Sequence, residues 1–168
     1  MLIDVPVLVV GSGPAALVAA KLAGGWGLST LLVGHVPIVG AGEHEPVVLQ
    51  REVVEVLEAP GILNILRPYL SAVDPATITT ADFEDVVKHH CVVDMNVTVY
   101  DGMELVDCQL EASGYVGVLT DGRSRWDLHA DAIIDTSGFS QELNEAVRSG
   151  GAAANGVRAA HREQLVRD

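Results

Sequence analysis

The sequence predicts an α/β fold: a parallel sheet with helices on both faces, plus a small antiparallel β-sheet. Three observations predict it. An apolar, Val-rich run from Val5 to Val10 stops at the turn Gly11-Ser12-Gly13. A second apolar run, Ser29 to Val33, follows an Ala/Leu-rich stretch. From about residue 97 to 129 the pattern changes to short strands separated by turn residues.

The elements follow in order. Val5 to Val10 reads as a strand buried on both faces, with Pro6 at its start, where a missing N–H is tolerated. Pro14 to Ala23 reads as a helix, because Pro stands near its start and Gly24-Gly25 near its end. Ser29 to Val33 completes a β-turn-α-β unit. Gly34 to Pro46 is polar, rich in Gly, Pro and His, and reads as loop. Val48 to Glu58 and Ile62 to Leu70 carry helical spacing, interrupted by Pro60-Gly61. Thr79 and Asp82 have capping-box spacing ahead of a helix from about Ala81 to His90. Val97 to Tyr100, Met103 to Glu111, Tyr115 to Thr120 and Ser124 to His129 read as strands. Asp101-Gly102 and Asp121-Gly122 read as hairpin turns between them. Ala132 to Asp135 reads as one more buried strand, stopped at Ser137-Gly138, and 152 to 167 as a terminal helix.

The chain has 168 residues, which fits a single domain over 1–168. Hydrophobic residues make up 49%, enough for a core and too many for a disordered chain. Aromatics are only 4%, which argues against a base-stacking platform. Ten basic against 23 acidic residues leave a net charge of −13. Such a surface repels phosphate backbones and anionic lipid, so neither nucleic acid nor a membrane is the expected partner. Cys91 and Cys108 lack CxxC spacing and read as small buried residues of a reducing compartment. No apolar run reaches the roughly 18 residues of a membrane span, and no basic leader precedes the first strand. A cytoplasmic protein is expected.

The turn Gly11-Ser12-Gly13-Pro14-Ala15-Ala16 is a GxGxxA between a strand and a helix. Gly11 permits the tight turn, Gly13 lets a pyrophosphate approach the backbone, and Ala16 lets the helix pack close to the strands. The helix then offers unpaired N–H groups and its positive end to phosphates. A glycine-rich turn without a ligand is the alternative.

The segment Leu8-Val9-Val10-Gly11-Ser12-Gly13-Pro14-Ala15-Ala16, with Ala19-Ala20, resembles the opening of the two-dinucleotide-binding-domain flavoproteins. That superfamily includes glutathione and thioredoxin reductases and flavin monooxygenases. Ala130-Asp131-Ala132-Ile133-Ile134-Asp135-Thr136-Ser137-Gly138 is similar to the family's late strand and small-Thr-Gly turn, which lies close to the cofactor. Tyr115 to His129 resembles the hairpin before that turn, and 151 to 165 the closing helix. The resemblance implies a Rossmann-like fold and FAD. It places the ADP half on Gly11, Gly13, Pro14 and Ala16, with Ser12 and Ala15 in the same turn. Gly34 and His35 fall at the ribose side, and Thr136, Ser137 and Gly138 fall near the cofactor.

Three features depart from the family. Its members end the second strand with an acidic residue for the ribose hydroxyls; here Gly34-His35 stands there, and only Glu43 or Glu45 of the loop offers a substitute. The family's Gly-Asp motif before the closing helix is absent, with Arg148-Ser149-Gly150-Gly151 in its region. A second domain for NAD(P)H or substrate and a redox CxxC are also missing.

Other candidate residues have simpler readings. His89-His90 with Cys91 and Asp94 lacks facial spacing for a metal, and histidines suit a helix C-terminus. His35, Glu43, His44 and Glu45 form either a solvated loop or part of a binding crevice. Ser12 lacks a nucleophile elbow. Asp135 either bonds nearby backbone or faces the crevice. Arg158, Arg162 and Arg167 read as a solvated helix face.

The expectation is a minimal FAD-binding oxidoreductase or electron-transfer domain that acts with a partner chain or as a homo-oligomer, with no catalytic acid or base named. The alternative is a degenerate dinucleotide-fold protein with a regulatory or interaction role.

Overall fold

The computed structural model describes residues 1–34, 46–58, 61–72 and 75–137. Compactness divides the chain into Met1–Thr136 and Ser137–Asp168, and the architecture below belongs to the first unit. The expected closing helix and Arg158, Arg162 and Arg167 lie outside the described residues.

Strand β1 (Leu2–Val10) leads through the glycine turn into α1 (Pro14–Gly25) and β2 (Thr30–Gly34). A short strand, β3 (Pro46–Val48), pairs antiparallel with β4 (Thr77–Thr79). Between them stand α2 (Arg51–Glu58), α3 (Ile62–Leu66) and a single 3-10 turn, Arg67–Tyr69. Helix α4 (Thr80–Val92) follows, then β5 (Val97–Asp101), β6 (Glu104–Glu111), β7 (Gly114–Thr120) and β8 (Arg125–Asp135). The six-stranded sheet has the order β5-β2-β1-β8-β7-β6. Its first four strands are parallel and its last two antiparallel. The α/β class and the mixed sheet are therefore as expected, and β8 joins the two parts.

Local chemistry explains the α4 start. Thr79 Oγ1 accepts from the Asp82 N–H at 3.0 Å and donates to its carboxylate at 2.6 Å. The N-cap half of the capping box read from the sequence is thus in place, with the Asp82 carboxylate held by the Thr79 hydroxyl. The described helices gather on one face. Val7, Val9 and Leu32 of the strands pack there with Leu17 and Ala20 of α1, Leu57 of α2, Ile62 and Leu66 of α3, and Phe83 and Val87 of α4. The alternate strand residues Leu8, Val10, Leu31 and Val33 are buried on the other face. Strand β6 also contacts β2, from the opposite end of the pairing order. The sheet must curl to allow this, which carries the antiparallel arm across that second face.

Four sequence expectations change. Val97 to Tyr100 is not part of the antiparallel group. It pairs parallel with β2, and Gly102 N–H donates to Gly34 O at 2.7 Å. Asp101-Gly102 is accordingly the start of a crossover, and the hairpin between β6 and β7 turns at Ala112-Ser113. The two strands expected at 124–129 and 132–135 are one continuous strand, because β8 pairs with β1 from Leu2↔Asp127 to Val10↔Asp135. Val48 ends a strand rather than opening a helix, and α2 begins at Arg51.

Two polar clasps tie the elements. Lys21 of α1 donates to Asp94 at 2.6 Å, and Asp94 also accepts from the Asn96 N–H at 3.0 Å. The Lys21 bond, aided by Asn96, holds the Asp94 carboxyl below the usual range. His129 of β8 meets an acceptor at each ring nitrogen: Asp4 Oδ1 at 2.9 Å and Ser113 O at 3.0 Å. Both bonds form at once only when the ring is an imidazolium, since a neutral ring has one N–H.

The Asp4 hydrogen bond first, and the Ser113 bond second, raise the His129 pKa. The unfolded value is about 6.5. A raised folded value means the stabilisation is complete below the unfolded pKa and is lost as pH rises through the folded one. The urea midpoint of the wild type is expected to fall, relative to His129→Gln, as pH rises above about 6.5. Parallel profiles for the two proteins would show that the clasp does not titrate.

Candidate functional site

The parallel strands end level with one another. Val10 pairs with Val33 on one side and with Asp135 on the other. Gly11, Gly34 and Thr136 therefore stand in a row at the carboxyl edge of β1, β2 and β8. Hydrogen bonds lock that row: Gly11 N–H to Val33 O at 2.9 Å, and Thr136 N–H to Val10 O at 2.8 Å. The Thr136 hydroxyl donates to the same Val10 carbonyl at 3.1 Å.

Glycine is required at two positions of the turn. Gly11 has φ +140°, and a Cβ there would overlap the Thr136 hydroxyl. Gly13 has φ +99°, a conformation that L side chains rarely adopt, and it is the N-cap of α1. Its carbonyl accepts from Leu17 N–H at 3.2 Å. No side chain caps the helix, and its first turn holds no acidic residue. The N–H groups and positive end of α1 are thus left for an outside anion. Pro14 sacrifices only a donor that the helix would not use. Ala16 and Ala20 are fully buried and bring α1 close to the sheet, while Ser12, Pro14 and Ala15 are exposed.

The sequence-predicted residues thus divide. Gly11, Ser12, Gly13, Pro14, Ala15 and Ala16 form the turn, and Gly34 and Thr136 stand beside it. Ser137 follows Thr136 and falls in the second compact unit. His35, Glu43, His44, Glu45 and Gly138 lie outside the described residues.

Glu84 of α4 is a residue that sequence reasoning missed. It is 6% exposed, and its Oε1 lies 3.5 Å from the place a Cβ on Gly13 would take. Burial, and to a lesser extent Asp85, raises its pKa. The signal was its spacing: Glu84, Val87 and Cys91 share one face of α4, and all are buried. An acidic residue on that face marks a position with a reason other than packing.

Among the described residues the two cysteines offer no ready nucleophile. Burial pushes the thiols of Cys91 and Cys108 up to about 11, and Cys91 Sγ donates to Leu17 O at 3.6 Å. Among the described residues no His, Cys, Asp and Glu cluster could hold a metal. None of the described helices is long and apolar enough to cross a membrane. An open, largely apolar cavity of about 620 Å³ adjoins the first turn of α1, lined by Pro14, Ala15, Val18, Val53, Val56 and Phe83 among others.

No protein-family model matches the sequence, and no curated protein does. Solved structures match in fold. The flavin-dependent monooxygenase PieE, solved with FAD and substrate, is 19% identical with a TM-score of 0.66. The match covers 78% of this chain and 30% of PieE. A geranylgeranyl bacteriochlorophyll reductase-like protein of Thermoplasma acidophilum is 17% identical with a TM-score of 0.67, covering 92% of this chain and 44% of that one. THI4 of Thermovibrio ammonificans is 15% identical with a TM-score of 0.66, covering 88% and 63%. The chain spans 30% to 63% of the length of these three. At identities this low the likeness establishes a shared fold alone, a mixed α/β fold.

Gly11→Ala puts a methyl group into the Thr136 hydroxyl and an L residue at a positive φ. It is expected to lower folding stability by about 2 kcal/mol or more, measured by urea denaturation. A variant as stable as the wild type would show that the Gly11–Thr136 approach is not tight.

Proposed function

We propose that this chain is one FAD-binding domain over 1–168, serving an oxidoreductase or electron-transfer function together with a partner chain or a second copy. The observation that carries this is the uncapped glycine turn, where Gly11 and Gly13 keep side chains out and α1 leaves its first amides without a side-chain partner. The residues fit the group. A pyrophosphate needs backbone N–H donors and room against the main chain, and the turn offers both. The fold neighbour PieE, solved with FAD, supports FAD over a shorter nucleotide.

In this reading Gly11, Ser12, Gly13, Pro14, Ala15 and Ala16 hold the pyrophosphate, with Gly34 and His35 at the ribose side. Thr136, Ser137 and Gly138 border the rest of the cofactor. A bound flavin supplies the electron transfer, and the chain binds and orients it. The turn recognises phosphate through amides, so it works on an acidic protein without a basic cluster. A second reading is a module that has lost the cofactor and acts by interaction. Gly34 in place of an acidic residue favours it, as does the apolar cavity beside α1.

After incubation with FAD and desalting, the protein is expected to show the flavin's visible bands between about 300 and 550 nm. A colourless protein contradicts the FAD reading and favours the second one. Gly13→Val is expected to abolish FAD retention by the folded protein, its folding followed by far-ultraviolet circular dichroism, and also to lower stability, because a Val at φ +99° is strained. Retention at full occupancy by that variant would place the site elsewhere.

A further inference from the structure

We propose that Asp101, at the end of β5, is the carboxylate that receives the ribose hydroxyls of a nucleotide, in place of the acidic residue absent from the end of β2. The inference rests on the nucleotide-binding reading above and adds a residue that the reading does not use.

The register of the sheet places Asp101. Val10 pairs with Val33, and Gly34 pairs with Asp101. Gly11, Gly34 and Asp101 are therefore level on the neighbouring strands β1, β2 and β5. The Gly11 N–H closes on Val33 O at 2.9 Å, and the Gly102 N–H closes on Gly34 O at 2.7 Å. The face is fixed as well. Side chains alternate along a strand, and Leu32, Val97 and Val99 belong to the core on the helix face. Gly34 and Asp101 each stand two residues further along those strands, so both fall on that face. Lys88 of α4 reaches Asp101 there, with its Nζ donating to Oδ2 at 2.7 Å. Asp101 thus occupies the face that a side chain at residue 34 would take, one strand further out.

Gly34 keeps the way open. Two strand spacings, about 10 Å, separate the glycine turn from Asp101, and the strand between them offers no side chain at that level. A nucleotide whose phosphates meet the start of α1 can lay its sugar across Gly34 and bring its hydroxyls to Asp101. A carboxylate only accepts and has about four acceptor sites, so hydroxyls add to the bonds Asp101 already makes. Its side chain is 46% exposed and so reachable from solvent. A phosphate at the same place would be repelled. The edge therefore sets the direction of the nucleotide: phosphates toward α1, hydroxyls toward β5. An ion pair as exposed as Lys88–Asp101 adds little to stability, so removing Asp101 is expected to leave the fold intact.

The test is calorimetric binding of ADP and of 2′,3′-dideoxy-ADP to the full chain, wild type and Asp101→Ala. Wild type is expected to bind ADP about tenfold more tightly than the dideoxy form. Asp101→Ala is expected to lose that preference while binding the dideoxy form within about twofold of wild type. Equal affinities of wild type for the two nucleotides would overturn the proposal without any variant. Asp101→Ala that keeps the preference would overturn it too, showing that another group receives the hydroxyls. A variant that weakens both nucleotides alike would overturn it as well, showing a structural role. If wild type binds neither ADP nor FAD, the nucleotide-binding reading itself fails, and this inference with it.

Discussion

The carboxyl edge of the sheet depends on the absence of a side chain at Gly11. The Val10 carbonyl takes both the N–H and the hydroxyl of Thr136, and the Gly11 N–H closes on Val33. Three parallel strands are thereby fixed at one level, with the chain turning in the small space between β2 and β8. A Cβ at Gly11 would push β1 and β8 apart at that edge. The start of α1 would move with them, because Gly13 is its N-cap two residues later. Packing at Ala16 and Ala20, both fully buried, depends on the same placement.

That constraint also shapes the site's electrostatics. A protein of net charge −13 is a poor general host for phosphates. The turn proposed for the phosphates offers fixed backbone dipoles in place of mobile cations. Helix α1 has no acidic residue in its first turn and no side-chain cap, so its dipole is not neutralised from within.

What was legible in the sequence is what local punctuation determines. Gly11, Pro14 and Gly24-Gly25 marked the limits of β1 and α1, and Thr79 with Asp82 marked the start of α4. Pairing partners were harder to read, because they are set by crossovers and not by neighbours. Asp101-Gly102 has hairpin composition, yet β5 returns to β2 at the far edge of the sheet. The break expected inside β8 failed for a related reason: β1 runs alongside as far as Val10 and keeps the strand extended through Ala130 and Asp131. The glycine turn of the candidate site was legible because glycine and proline act within a few residues. The approach of Glu84 to Gly13 was not, since it depends on α4 packing across α1, 71 positions beyond Gly13 by the numbering.

The most direct measurement is a backbone amide chemical-shift titration of the chain with ADP. The amides of Gly11, Ser12, Gly13, Ala15 and Ala16 are expected to move first and furthest, with Thr136 following through its bond to Val10. Saturable shifts confined to other parts of the sheet, or none at all, would contradict a phosphate held by the start of α1.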